Sequence, residues 1–270
     1  MNTETRHGVL LSVAYDGSLF HGMARQPNLR TVAGELQGAI AELDAHASLI
    51  RHMSRTDAGV HAEQQYVSFD SSKSISSRGW VLGLSRHLPK DVAITSATSV
   101  DAGFDPRDVV RSKTYRYRLL ESQVRDPFLE KRAWRIGERL NHNLMIREAA
   151  DLRGCHDFAA FRSIDDGRSD TRRNLTKVSI ESDPSDSRIT WCVVEGDRFL
   201  MHMVRIIVGT LVDVGRGRKS PGVCARALAS CKRADLGITA PPYGLYLHRV
   251  ELGDLGADRW PQVDESPLVT

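Results

Sequence analysis

The sequence is poor in the features that mark metal clusters and disulfide frameworks. Its 270 residues include only four cysteines, Cys155, Cys192, Cys224 and Cys231, and no two of them form a Cys-x-x-Cys pair. The ten histidines contain no His-x-x-x-His pair. These absences argue against a zinc centre and a disulfide framework, and the cysteine usage favours a reducing cytoplasm.

Long apolar runs and cofactor-binding loops are also absent. No apolar stretch reaches the length that a bilayer requires, and residues 1–7 lack the apolar core of a signal peptide. Neither a Gly-x-Gly-x-x-Gly loop nor a Gly-Lys-Ser/Thr loop occurs. We therefore expect a cytoplasmic protein that needs no membrane, cofactor or metal.

Net charge is small, so any affinity for a polyanion depends on how the charges are arranged. Thirty-seven basic and thirty-four acidic residues leave a formal charge of +3. The basic residues gather in three clusters, which are Arg111, Lys113, Arg116 and Arg118; Arg162, Arg168, Arg172, Arg173 and Lys177; and Arg216, Arg218 and Lys219. Any one cluster is typical of a solvated face, whereas their coincidence favours a groove for nucleic acid.

Helical and strand patterns alternate along two halves of the chain. The first half, residues 1–107, has strand patterns near 9–15, 64–70 and 92–95 and a helix that Thr31 caps. The second half, residues 108–258, has strand patterns at 113–119, 175–181, 189–195 and 244–250 and helical patterns at 143–153 and 199–214. This order predicts two α/β domains with mixed sheets and a cleft where they meet, followed by a tail at 259–270.

A heptapeptide from Arg55 to His61 places one carboxylate, Asp57, in a compact polar loop. The loop connects the predicted helix, whose stripe includes Val32 and Leu36, to the strand near 64–70. Connections of this kind often present reactive groups on a rigid scaffold. Asp-Ala-Gly is also ordinary turn chemistry, so these residues alone leave a turn and an active site equally open.

Aromatic and basic residues alternate along the predicted strand Lys113–Leu119. Tyr115 and Tyr117 occupy one face and Arg116 and Arg118 the other. Such tyrosines are usually half-buried sheet residues, but rings beside guanidinium groups are also found on RNA-binding sheets. Both interpretations remain open at this point.

Arg205 is the charged residue in the otherwise apolar helical segment 199–211. A cation in this setting either extends to solvent or meets a counter-charge, because an unpaired buried guanidinium is costly. If Arg205 faces the cleft, it is a natural counter-ion for Asp57. His61, by contrast, is a single histidine with no Ser or Cys nucleophile motif beside it, which favours a supporting role.

Eight separate segments, in order, together resemble the tRNA pseudouridine synthases of the A type. The resemblance spans nearly the whole chain, and its segments are Tyr15-Asp16-Gly17-Ser18 with Gly22, Thr31-Val32, Arg55 to His61, His87-Leu88-Pro89, Lys113 to Tyr117, His156-Asp157-Phe158 with Phe161-Arg162, Met203-Val204-Arg205 with Val208-Gly209, and Gly244 to Leu247.

The resemblance implies an enzyme that isomerises uridine to pseudouridine in the anticodon arm of tRNA, at the family's positions 38, 39 or 40. It implies no cofactor, two α/β domains with mixed, mostly antiparallel sheets joined side by side, and a homodimer. Asp57 would be the essential carboxylate, Arg205 its counter-ion and Tyr115 the ring that stacks on the flipped uracil. Residues implied to bind the substrate are Arg55, Thr56, His61, Lys113, Arg116 and Arg162.

The chain departs from the usual family pattern at Met23-Ala24, Ala33 and Ser54, which leaves the reaction intact but bears on substrate range. Two alternatives remain. One is a related synthase acting on another RNA or on a free uridine nucleotide, and the other is an RNA-binding or tRNA-folding module without turnover, for which Asp57 would be dispensable.

Overall fold

The computed structural model describes residues 6–255 and 259–261, and it forms mixed α/β structure. In these residues the strands are β1 (His7–Tyr15), β2 (Arg51–His52), β3 (His61–Ser71), β4 (Val92–Val100), β5 (Val110–Glu121), β6 (Trp134–Ile136), β7 (Gly154–Asp157), β8 (Arg172–Ser182), β9 (Ile189–Gly196), β10 (Leu245–Leu252) and β11 (Arg259–Trp260). The helices are α1 (Val32–Leu43), α2 (Ser77–Leu84), α3 (His142–Ala150), α4 (Met203–Gly215) and α5 (Val223–Ser230).

The chain separates into two compact units. One contains residues 6–58, 62–110 and the described residues from 252 onward, and the other contains 59–61 and 111–251. Residues after Leu252 contact the first unit, because the Gly253 amide donates to the Val109 carbonyl at 2.8 Å and β11 pairs with β4. The sequence predicts that residues 252–258 belong to the second domain; the described residues 252–255 lie instead in the first unit, and 256–258 lie outside the described residues. Of the predicted tail, 262–270 lie outside the described residues.

The sheet of the first unit has the order β11-β4-β1-β3, and β2 pairs with β3. All of these pairings are antiparallel. Leu11 and Val13 of β1 and Phe69 of β3 are completely buried, and Trp80 of α2 meets Phe69 edge-on at 5.0 Å. The core of this unit therefore lies between the sheet and the two helices.

Helix α1 begins where the sequence predicts. Thr31 is its N-cap and accepts a hydrogen bond from the Gly34 amide at 3.2 Å. Val32, Leu36 and Ile40 of the predicted stripe are buried, which confirms the helical interpretation.

The second unit has the strand order β10-β5-β9-β8-β7, and β6 pairs with β5. The β5–β9, β9–β8 and β8–β7 pairs are antiparallel, and only the short β5–β6 pair is parallel among the pairings described. These orders confirm the predicted class of mixed, mostly antiparallel α/β structure. Helix α3 packs on β8 and on α4.

Helix α4 begins four residues later than the sequence predicts. His202, which precedes it, has a φ of 60° in the left-handed region, and residues 201–202 form a turn. Phe199 therefore does not belong to the helix, although its spacing with Met203 matches the apolar stripe. No helix among the described residues is long and apolar enough to span a membrane.

Candidate active site

The Asp57 loop is fixed on its N-terminal side by the side chain of Gln65. This side chain is fully buried, its Nε2 donates to the Ser54 carbonyl at 2.8 Å, and its Oε1 accepts from the Ser54 amide at 3.2 Å. Both backbone groups of Ser54 are thus satisfied by one side chain of the adjacent strand β3. Ser54 immediately precedes Arg55, so Gln65 sets where the heptapeptide begins.

Thr56 is held on two sides within the same unit. Its Oγ1 lies 2.7 Å from the Tyr15 hydroxyl, and its carbonyl accepts from the Met23 amide at 3.1 Å. Gly22 packs against it with a φ of +91°, and a Cβ at Gly22 would lie 2.7 Å from the Thr56 carbonyl oxygen. Thr56 is 8% exposed and its hydroxyl is engaged, so it positions the loop; the substrate contact that the resemblance implies stays a prediction.

The same segment connects the loop to helix α1. The carbonyls of Gly22 and Met23 accept hydrogen bonds from the amides of Val32 and Ala33, which are among the groups that a helix start leaves unpaired. Met23 and Ala33, two of the departures from the family pattern, are buried. They contribute to the support of the loop.

Asp57 itself is half-buried and Arg55 is exposed. Asp57 comes directly before a turn in which Gly59 has a φ of +78°. The carboxylate is therefore presented on a loop whose preceding residues are fixed by Gln65, Tyr15 and Met23.

His61 lies at the end of the heptapeptide and is 2% exposed. Its Nε2 lies 3.0 Å from the carbonyls of Lys131 and Tyr243, and its ring stacks on Tyr246 at 4.6 Å. This burial favours the supporting role predicted from the residues over direct contact with a substrate.

Tyr115 and Tyr117 are both buried on one face of β5. The Tyr115 ring meets Phe199 edge-on at 5.0 Å. The Tyr117 hydroxyl donates to the Pro241 carbonyl at 2.7 Å, and burial raises the pKa of Tyr117 well above its usual value. The two tyrosines thus differ: Tyr117 is a core residue, and Tyr115 lies beside the turn that precedes α4.

Arg116 and Arg118 occupy the opposite face of β5, where they stack on Trp191. Their guanidinium carbons lie 4.3 and 4.5 Å from its ring centroid. Arg162, another predicted contact, donates to the carbonyls of Arg168 at 2.6 Å and Asp166 at 3.2 Å. Arg116 is therefore packed on an aromatic ring, and Arg162 supports the loop that follows it.

Arg205 lies in the first turn of α4 and is half-buried. Its Nε donates to the Ala240 carbonyl at 2.9 Å, and the Ala240 amide donates to the Arg205 carbonyl at 3.0 Å. These two bonds orient the guanidinium group. Its pairing with Asp57, which belongs to the other unit, stays a prediction.

The loop 163–168 supports the surroundings of Tyr115, and no sequence pattern indicates this role. Burial alone would raise the pKa of Asp166, but amides of Met201 and Arg168 donate to its carboxylate and lower the pKa below its usual value. Arg168 also donates to the Phe199 carbonyl at 3.0 Å. This loop is thereby tied to the turn that holds Phe199 against Tyr115.

No group of three or more His, Cys, Asp or Glu side chains that could hold a metal ion is found within 6–255 and 259–261. The four cysteines are free thiols, and burial raises the pKa of Cys192 to about 12.

The second unit matches one class of enzyme. Residues 149–251, which include Arg162 and Arg205, match a family model described as tRNA pseudouridine synthase. Pseudouridine synthases are isomerases, and this match gives the class to which the second unit corresponds.

Curated relatives extend the match over both units. The chain is 38% identical to the tRNA pseudouridine synthase A of Myxococcus xanthus over 89% of its own length and 90% of the relative. It is also 38% identical to that of Pelobacter propionicus, covering 88% of the chain and 97% of the relative, and 37% identical to that of Geobacter sulfurreducens, covering 90% and 98%. The chain belongs to the tRNA pseudouridine synthase A family.

Proposed function

We propose that this chain isomerises uridine to pseudouridine in the anticodon stem-loop of tRNA, at positions 38, 39 or 40. The observation that carries the proposal is the presentation of Asp57, which is half-buried on a loop held by Gln65, Tyr15 and Met23. A carboxylate fixed in this manner is suited to one defined chemical task. Membership of the family supports tRNA as the substrate.

The reaction breaks the bond between N1 and C1′ and forms a bond between C5 and C1′. Hydrogen 5 leaves as a proton and N1 gains one, so the product is an isomer of the substrate. Asp57 attacks C1′ or the ring, or removes a ribose proton on the way to a glycal, and all three routes remain open.

Two further residues have proposed roles. Tyr115 stacks on the uracil once the base has left the helix, and Arg205 keeps Asp57 ionised. Arg55, which is exposed, occupies the space that the base vacates, because a planar cation suits a gap between bases and phosphates.

Release of tritium from tRNA labelled at C5 of uridine tests the proposal, since every route expels hydrogen 5. We expect release with the wild-type protein and none with Asp57→Asn, while tRNA binding persists. Asp108→Asn is the matched control, because Asp108 is exposed in the same unit and outside the loop. Equal release by Asp57→Asn and the wild type would contradict the assignment.

The same assay separates the alternatives. An RNA-binding module without turnover binds tRNA but releases no tritium, and a synthase for a free nucleotide releases tritium from a uridine nucleotide in preference to tRNA. Sequencing of pseudouridine in the product tRNA tests the anticodon positions. We further propose a homodimer that acts in the cytoplasm, and sedimentation equilibrium tests the oligomeric state.

A further inference from the structure

Four basic side chains gather at one end of the sheet in the second unit. Lys113 on β5 pairs with Gly196 on β9, which pairs with Leu175 on β8. Strands are about 4.8 Å apart, so Lys113 and Leu175 lie about 10 Å apart on one face of the sheet. Arg173, two residues before Leu175, shares that face.

Arg168 and Arg198 approach the same end. Arg198 follows β9 after Asp197, and Arg168 donates to the Phe199 carbonyl one residue further on. We call Lys113, Arg168, Arg173 and Arg198 the Lys113 cluster.

Carboxylates do not neutralise the Lys113 cluster completely. Arg173 is 4% exposed, and it shares a single carboxylate, Asp170, with Arg198 at 3.6 Å from each. The Nε of Arg173 is buried, and it has no hydrogen-bond partner among the residues that the structure describes. A buried cation in this condition is costly unless an anion comes close to it.

Of the four side chains in the Lys113 cluster, Lys113 has its positive charge least balanced by carboxylates. No carboxylate among the described residues lies within ion-pairing distance of its ammonium group, and the nearest acidic influence, Asp197, accepts from the amides of Asn174 and Arg198. Burial, and then the charge of Arg168, lower the pKa of Lys113 to about 8. The Lys113 ammonium group thus has no ion-pair partner among the described residues, and an anionic ligand can supply the missing negative charge.

The Lys113 cluster also has room to contact a ligand. The side chain of Arg168 is 54% exposed, and its described contacts, to Asp166 and Phe199, use Nη1 alone. Lys113 is two residues from Tyr115 on the same face of β5, which is about 6.6 Å along the strand. A group bound by Lys113 and Arg168 therefore lies close to whatever stacks on Tyr115.

We propose that Lys113 and Arg168 form a phosphate-binding subsite for the RNA backbone next to the uridine that Tyr115 stacks, with Arg173 supplying positive charge beneath it. The proposal rests on the proposed function for its substrate. The ligand is a phosphodiester, because Arg and Lys side chains around one point suit phosphate oxygens. Lys113 and Arg168 would also orient the uridine, since a fixed phosphate limits where its ribose can lie.

Binding of tRNA to Asp57→Asn protein, which leaves the RNA unmodified, tests the subsite. The Asp57→Asn protein is compared with the double variant that also carries Lys113→Met. Each protein is tested with three tRNAs: one with natural phosphates, one with a neutral methylphosphonate 5′ of the target uridine, and one with the methylphosphonate 3′ of it. We expect Lys113→Met to weaken binding of natural tRNA about tenfold at low salt. The slope of log affinity against log salt should fall by about 0.7.

The methylphosphonate at the contacted linkage should remove the effect of Lys113→Met, because one partner of the contact is already gone. Lys232→Met is the matched control, since Lys232 is exposed in the same unit and outside the Lys113 cluster, and it should show no coupling to either linkage. Should Lys113→Met fail to fold, Arg168→Gln is tested in the same manner, because its side chain extends to solvent.

The subsite would be overturned if Lys113→Met left the tRNA affinity and its salt slope unchanged. It would also be overturned if Lys113→Met weakened binding equally when either methylphosphonate was present. Tritium release by the wild-type protein is measured in parallel. Absence of release overturns the proposed function, whereas release without coupling overturns only the phosphate subsite.

Discussion

Gln65 forms two hydrogen bonds with one residue, Ser54, through both ends of its side-chain amide, at 2.8 and 3.2 Å. Gln65 belongs to β3, so its side chain continues the contact between β2 and β3 to the point where the chain enters the Asp57 loop. The Gln65 side chain is fully buried, so its amide oxygen and nitrogen both need hydrogen-bond partners, and the backbone of Ser54 supplies one for each.

The first prediction concerns this bridge. Gln65→Leu should lower kcat for tRNA at least tenfold with a smaller change in KM, because the Asp57 carboxylate loses its position while the binding surface remains. The free energy of unfolding should fall by about 1–3 kcal/mol, as the Ser54 backbone loses its partners. Steady-state tritium release and urea denaturation measure the two effects.

Gln37→Leu is the matched control for that bridge. Gln37 accepts from the Ile50 amide at 3.1 Å and donates to the Ser48 carbonyl at 3.4 Å, outside the heptapeptide. It should lose stability but keep kcat. Equal kcat losses in the two variants would mean that Gln65 acts only through general stability.

The second prediction concerns the close contact of Gly22 with the loop. Gly22→Ala adds a Cβ that would lie 2.7 Å from the Thr56 carbonyl oxygen at a φ of +91°. We expect a loss of about 2–4 kcal/mol in the free energy of unfolding, from backbone strain and from displacement of Thr56. Thermal unfolding and tritium release measure the outcome.

Gly103→Ala separates these two causes. Gly103 has a similar φ of +83°, but no atom lies within 4 Å of its added Cβ. It should show the strain alone, of about 1 kcal/mol, with full activity. If Gly103→Ala and Gly22→Ala behave alike, the contact with Thr56 has no energetic weight.

The third prediction concerns the titration of Lys113. Its pKa of about 8 in the folded protein lies below the usual 10.5, so between these values the unfolded chain carries a proton that the folded chain lacks. The contribution of Lys113 to the free energy of unfolding therefore rises as pH increases from 8 to 10.5. Below pH 8 the full cost of burying the charged ammonium group is present.

Lys113→Met should consequently stabilise the protein at pH 7 by about 1–3 kcal/mol. The gain over the wild type should shrink as pH rises through 8 toward 10.5, as urea denaturation at several pH values will measure. Lys232→Met should give no such trend. A loss of stability at pH 7 on replacing Lys113 would contradict this electrostatic account.

The fourth prediction concerns the Tyr115 ring. Tyr115→Phe should retain most of the kcat/KM for tRNA, because the flat face remains, whereas Tyr115→Leu should lose about tenfold or more through lost stacking. Tritium release measures both, and thermal unfolding shows whether Leu disturbs the fold. Equal activity of the Phe and Leu variants would remove the ring from the mechanism.

Sequence patterns predict the long elements of this protein well because their causes are local. The stripe of α1, its Thr31 cap and the alternation along β5 depend only on neighbouring residues. The apolar spacing predicts the first turn of α4 too early, because Phe199 continues that spacing and nothing in the composition marks the left-handed conformation of His202.

The supports of the site could not be read from the sequence. Gln65 appears as an ordinary polar residue in a strand, and only the tertiary structure shows that Ser54 lies opposite it. Arg173 likewise looks like a solvated residue in a basic cluster, yet it is 4% exposed because it shares the face of Leu175. Contacts between residues far apart in the chain determine both environments.

The first unit is built from both ends of the sequence. Strand β4 receives its neighbour β11 from residues 259–260, after the entire second unit has been encoded. During synthesis on the ribosome, the sheet of β4, β1 and β3 therefore lacks its outer strand until the whole second unit and then residues 259–260 have been made.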